Sequence, residues 1–125
     1  MEPLLYYYDS INRNAIIVKP KKPFYNWLKG IYNDEEFTSL KEENTVYLIR
    51  EMDSNQDILK WLSKNFDGIF VNELNDWYTD EAGWPQNRTF KKFNEWFDVE
   101  INSMVLDLEE FPVEKESIDD FDIDF

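Results

Sequence analysis

The chain has 125 residues, 27 of them acidic and 13 basic, and contains neither histidine nor cysteine. With 42% apolar and 18% aromatic residues it is long enough to bury a core, which excludes generic disorder despite the charge. The missing Cys and His exclude disulfides, thiolate nucleophiles, Cys-type metal sites and the commonest base near neutral pH, and a net charge of −14 argues against sequence-independent nucleic-acid binding.

Taken in chain order, Ala15-Ile16-Ile17-Val18 is a β-branched run ahead of the Lys19-Pro20 break and predicts a first strand. Pro23 suits the first turn of a helix, where its missing N–H costs nothing. Phe24, Trp27, Leu28 and Ile31 follow at i, i+3, i+4 and i+7, with Gly30 near the end and Asn33-Asp34 as the stop. The acidic, polar residues 34–44 predict a loop. Thr45 to Arg50 carries high β-propensity with no breaker and predicts a second strand.

Ser54 with Asp57 three residues on predicts a helix N-cap. Ile58, Trp61, Leu62 and Phe66 continue that helix, and a second apolar set runs through Ile69, Phe70, Leu74, Trp77 and Tyr78. Phe66-Asp67-Gly68 between them predicts a break, hence helices at about 55–65 and 68–78. Gly, Pro and Asn make residues 79–88 a loop. Thr89 caps a short helix carrying Phe90, Phe93, Trp96 and Phe97. Residues 99–108 alternate in two phases, which a single strand with a bulge near Asn102-Ser103 reconciles. The expected order is β-α-β-α-α-α-β: an α+β domain over 1–108, with a small sheet of about three strands covered by helices. A tail follows at 109–125, and no internal repeat stands out.

The charge is unevenly placed. Residues 1–33 balance to +3, 34–106 to −9, and 107–125 to −8, so more than half the net charge lies in the last nineteen residues. The N-terminal residues lack the basic and long apolar regions of a secretory signal, and no run approaches the eighteen apolar residues of a membrane span. A cytoplasmic setting with no membrane partner is the expectation.

Three groups of residues carry candidate chemistry. The stretch from Trp77 to Arg88 reads in two ways. It is a partner-binding recognition loop that starts at Trp77, with Trp84 as an anchor, Asp80 and Glu81 as acceptors and Arg88 as planar donor, since Trp, Tyr and Arg dominate interfaces. Alternatively, Trp84 and Pro85 tuck over the core and Arg88 pairs with a nearby acid. Asp76, Asp80, Glu81, Asp98 and Glu100 are the material for a carboxylate-dependent enzyme, as a pair of acids for glycoside hydrolysis or as ligands of a divalent metal such as Mg²⁺. Their spacing matches no calcium loop and no Gly-rich phosphate cradle, so neither a catalytic residue, a metal ligand nor a cofactor is assigned. Arg13, Lys19, Lys21, Lys22 and Lys29 bracket the first strand and the start of the first helix, and contact phosphates or an acidic partner, offset the acidic surface, or dock the tail itself.

The body, through Asn72-Glu73-Leu74, Trp77-Tyr78-Thr79-Asp80-Glu81, Trp84 to Phe90, Trp96-Phe97-Asp98 and Ser103 to Leu108, resembles an uncharacterised family of small acidic bacterial proteins. That resemblance implies a bacterial, cytoplasmic setting and supplies no activity. The last nine residues, Ser117-Ile118-Asp119-Asp120-Phe121-Asp122-Ile123-Asp124-Phe125, resemble the acidic C-terminal tip of bacterial single-stranded DNA-binding proteins. In that family a terminal Phe enters an apolar pocket on genome-maintenance proteins while basic residues hold the neighbouring acids. The resemblance implies Phe125 as wedge, Ile123 as second apolar contact, and Asp119, Asp120, Asp122 and Asp124 as steering charges.

The function expected is a non-catalytic, acidic interaction module. Its partner is a basic protein surface, either on a nucleic-acid-processing protein or on a toxin neutralised in an immunity-type role. An apolar anchor gives residence and acids give fast encounter. The alternatives are the carboxylate enzyme and a mimic of nucleic-acid charge. Direct nucleic-acid binding is not expected.

Overall fold

The computed structural model describes residues 9–33 and 44–116. In chain order the elements are β1 (Asp9–Ser10), β2 (Arg13–Pro20), α1 (Lys22–Tyr32), β3 (Thr45–Arg50), α2 (Asn55–Asn75), a 3-10 turn at Glu81–Gly83, α3 (Phe90–Trp96), β4 (Phe97–Asn102) and β5 (Leu106–Asp107). They fall into two compact units. The larger covers 12–105, and the smaller joins 9–11 to 106–116. The smaller unit is an antiparallel ladder in which Asp9 faces Asp107 and Ser10 faces Leu106.

The larger unit is an α+β fold built on a three-stranded antiparallel sheet in the order β3-β2-β4. The β-branched run lies in the central strand, with Ile16 opposite Tyr47 on one side and Ile101 on the other. Strand periodicity sends Asn14, Ile16 and Val18 of β2 to the covered face, together with Tyr47, Ile49, Phe97, Val99 and Ile101. Against that face pack Phe24 and Leu28 of α1, Ile58, Leu62, Ile69, Phe70 and Leu74 of α2, and Phe93 of α3, in one buried cluster. The opposite face carries Val46, Leu48, Arg50, Asp98 and Glu100, all exposed.

Local sequence explains the element ends. Pro23 occupies the first turn of α1, and Asn33 closes it in the left-handed region at φ 51°. Ser54 Oγ accepts from Asp57 N at 3.1 Å and Thr89 Oγ1 accepts from Lys92 N at 3.0 Å, so both expected caps form. Asn14, buried on the covered face, donates through Nδ2 to the Ser103 carbonyl at 3.0 Å and accepts from Met52 N at 2.8 Å. One amide thus ties the end of β4 to the start of the β3–α2 connection.

Three expectations are corrected. Residues 55–75 form one uninterrupted helix rather than two. Gly68 lies exposed with no neighbour within 4 Å of where a Cβ would sit, so nothing there requires a break. Its propensity cost of about 1 kcal/mol is outweighed because both apolar sets share one helical stripe against the sheet. Likewise, 99–108 is not one bulged strand. Pairing starts at Phe97, stops at Asn102 and resumes only at Leu106 with a different partner. Phe97 is therefore the first strand residue, its ring still buried, and not part of the preceding helix. The loop expected at 34–44 falls, apart from Asn44, outside the described residues.

Candidate functional site

The loop between α2 and α3 is tied into the larger unit by its own polar groups. Trp84 is 7% exposed and belongs to the buried cluster, and its Nε1 donates to the Tyr78 carbonyl at 2.6 Å. Trp27 Nε1 of α1 donates to the Gly83 carbonyl at 2.9 Å, and the Tyr32 hydroxyl donates to the Trp77 carbonyl. Gly83 is required by crowding: a Cβ there would lie 2.6 Å from the Tyr78 ring and 3.2 Å from Ile31 Cδ1. Asp80 Oδ1 caps the 3-10 turn by accepting from Ala82 N at 3.0 Å. Glu81 is exposed, with its carbonyl accepting from Trp84 N at 3.1 Å. Arg88 pairs with Asp67 of α2, Nε to Oδ1 at 2.7 Å, and donates to the Pro85 carbonyl at 3.0 Å. Of the five loop residues singled out in the sequence, Asp80 and Glu81 therefore remain at the surface, while Trp84 turns inward.

The expected carboxylates are dispersed. Asp76 caps α2, Asp98 is exposed on β4, and Glu100 pairs with Lys19 across the sheet at 3.1 Å. Among the described residues no group of three or more Asp or Glu is placed to hold a metal ion. Of the basic group, Arg13 and Lys19 lie on the outer sheet face and Lys29 in the last turn of α1, while the Lys21 backbone N–H donates to the Trp96 carbonyl at 2.7 Å.

A buried polar cluster escapes the sequence reading. Glu73 of α2 is 6% exposed; the Tyr47 hydroxyl of β3 donates to its Oε2, and Asn72 Nδ2 donates to that hydroxyl at 2.8 Å. Burial pushes the Glu73 carboxyl above its usual range, against the opposing hydrogen bonds from Tyr47 and Thr45, and Asp76 adds a smaller push upward. Burial also raises the Tyr47 phenol, with Glu73 next in importance. The available signal was positional: Glu73 sits three residues after Phe70 and four after Ile69, on the apolar stripe. A group whose pKa rises on folding binds its proton more tightly in the native state. It contributes stability that is full below the unfolded carboxylate pKa of about 4.3 and is lost as pH climbs through the raised value. Urea titrations of wild type and Glu73→Gln across that range should give a difference that favours the variant increasingly with pH. A pH-independent difference would show that Glu73 titrates like an exposed acid.

Where β3 runs into α2, Arg50, Glu51, Met52, Asp53, Asp57, Lys60 and Trp61 line an open cleft of about 350 Å³. Its lining carries both signs of charge together with the half-buried Met52 and Trp61.

In the smaller unit the chain leaves β5 as an exposed acidic segment. Glu109 N donates to Asp107 Oδ1 at 2.9 Å, a local turn, and residues 108–116 are exposed throughout. Within them Phe111 is 67% and Val113 68% exposed, interleaved with Glu109, Glu110, Glu114 and Glu116. Asp119, Asp120, Asp122, Ile123, Asp124 and Phe125 lie outside the described residues. Among the described residues no helix is long and apolar enough to cross a membrane. Compared with known proteins, the chain matches no family model, no curated protein and no solved structure.

Proposed function

We propose that the protein is a non-catalytic interaction module whose acidic C-terminal segment occupies a basic surface on a partner protein. The observation that carries this reading is the exposure of Leu108, Phe111 and Val113 among Glu109, Glu110, Glu114 and Glu116. A segment that serves only solubility needs the acids but not the large apolar side chains. Apolar anchors flanked by like charges suit a partner whose basic residues ring an apolar pocket, because steering and residence then come from different atoms. The same alternation continues in the sequence through Ile118, Phe121, Ile123 and Phe125, so the reading extends to the nine residues that resemble an acidic tip. Exposed Asp80 and Glu81 supply further acceptors of the same sign. The partner class is a nucleic-acid-processing protein or a basic toxin, and the setting is the bacterial cytoplasm that the body's resemblance implies.

Two variants test it. One lacks residues 117–125; the other is full length with Phe111→Ser and Val113→Ser, which keeps every charge. Each buried side chain of this size is worth about 1.5–3 kcal/mol, so losing one costs roughly tenfold or more in affinity. Affinity capture from lysate at low and high salt, with bound proteins identified by mass, should show the same basic partner weakened by both variants and by salt. Capture that neither variant nor salt alters would sink the proposal.

A further inference from the structure

The outer face of the sheet is organised in rows across the strands. Val46 lies opposite Ile17 and Leu48 opposite Ala15, and the next row sets Arg50 opposite Arg13. Val46 and Leu48 are 59% and 47% exposed, although the remaining outward residues of β4 are polar. Among the described residues no strand pairs with the second edge of β3. That edge reads Thr-Val-Tyr-Leu-Ile-Arg, without the Pro, Lys or bulge that usually blunts an exposed edge. The row of two arginines is also unusual, since like charges directly opposite destabilise a strand pair. Arg13 donates to Asn12, and neither Arg13 nor Arg50 has an ion pair among the described residues.

We propose that β3 is a docking strand for an extended peptide of a partner protein that carries two apolar residues and one carboxylate at alternate positions. Such a peptide adds a fourth strand through main-chain hydrogen bonds, and every second side chain then falls on the outer face. Two of these extend the Val46–Leu48 apolar patch, and the third brings its carboxylate to Arg50 and Arg13. The charge requirement is narrow. Beyond Arg50 the cleft is lined by Glu51, Asp53 and Asp57, which repel a longer acidic tract. One carboxylate beside the arginine row is therefore favoured over several. This surface lies wholly in the larger unit and takes the opposite chemistry from the proposed C-terminal segment, so neither proposal depends on the other.

The test uses the full chain and the fluorescein-labelled peptide Thr-Val-Thr-Ile-Thr-Glu-Thr, with counterparts bearing Gln or Lys in place of Glu. Fluorescence anisotropy should rank them Glu, then Gln, then Lys, with at least fivefold between the first two. The net charge of −14 by itself would favour the Lys peptide, so this order reports the arginine row. Leu48→Thr, which keeps strand propensity, should weaken all three peptides at least fivefold, and Arg50→Glu should reverse the order. Leu59→Asp, an exposed change on α2, should alter nothing. Hydrogen exchange of the 45–50 amides that do not bond to β2 should slow when the Glu peptide is added. Preference for the Lys peptide, no saturable binding, or indifference to Leu48→Thr overturns the proposal. So does protection, in the free protein, of the β3 amides that do not bond to β2. Protection that depends on protein concentration would assign the edge to a second copy, and protection lost on removing 117–125 would assign it to this chain's own C-terminal segment.

Discussion

Phe70→Ala should cost about 3–5 kcal/mol of stability, enough to leave the protein marginal at room temperature. Phe70 is fully buried on α2 and meets three other rings: Phe93 at 5.9 Å, Trp96 at 5.5 Å and Phe97 at 5.3 Å between centroids, the last edge-to-face. These belong to three successive pieces of structure, α3, its end and the start of β4. Truncation therefore removes the transfer free energy of one ring and also the partner of each neighbour, where aromatic pairs add about 0.5–1.5 kcal/mol beyond area. Collapse cannot refill the space, because Phe24 and Phe93 already press on Phe97 at 5.3 and 5.2 Å. Urea unfolding should show a lowered midpoint with an unchanged slope. A loss under about 1 kcal/mol would mean that the ring cluster repacks freely.

Trp84→Ala should be comparably damaging, again about 3–5 kcal/mol, and it separates the two readings of its loop. A recognition anchor held at the surface could be truncated with little effect on stability. Trp84 is instead buried, with its indole N–H bonded to the Tyr78 carbonyl. Trp84→Phe keeps most of the apolar contact but leaves that carbonyl unpaired, for a smaller loss of about 1–3 kcal/mol. Ordering wild type, Phe and Ala by midpoint checks this. Equal midpoints for all three would place the indole outside the core. Any loss of partner binding in the Ala variant then has to be judged against the Phe variant, which retains the loop's anchorage.

Where local chemistry determined local structure, the sequence was readable. The Ile16-Ile17-Val18 run, the Phe24–Ile31 stripe, the 45–50 strand and the Ser54 and Thr89 caps all stand as expected, and so does the α+β arrangement. Gly68 misled because a breaker signal has a fixed, small cost, while the packing of Ile58 to Leu74 along one stripe is worth many times more. The two phases of 99–108 were visible, but which partner each phase pairs with is a long-range fact. The strand run belongs to β2, and Leu106–Asp107 belongs to Asp9–Ser10. The same limit governed the sites. Trp84 and Arg88 have the composition of an interface, yet only the fold reveals that Tyr78 and Asp67 already engage them. Glu73 hid among 27 acids, distinguished only by standing on an apolar stripe.

The strand order β3-β2-β4 also has a kinetic consequence. The centre of the sheet is made before both of its neighbours, and one of them follows only much later: residues 13–20 must wait for 97–102 before their second ladder exists. A nascent chain can zip β2 to β3 while its helices are still emerging, but the other edge of the central strand stays bare until nearly the whole unit has left the ribosome. Closing that ladder spans most of the unit's length, which places the protein among slower-folding α+β topologies. During that interval Ile16 and Val18 are covered on one side at most, and the abundance of like charge along the chain keeps neighbouring nascent copies apart.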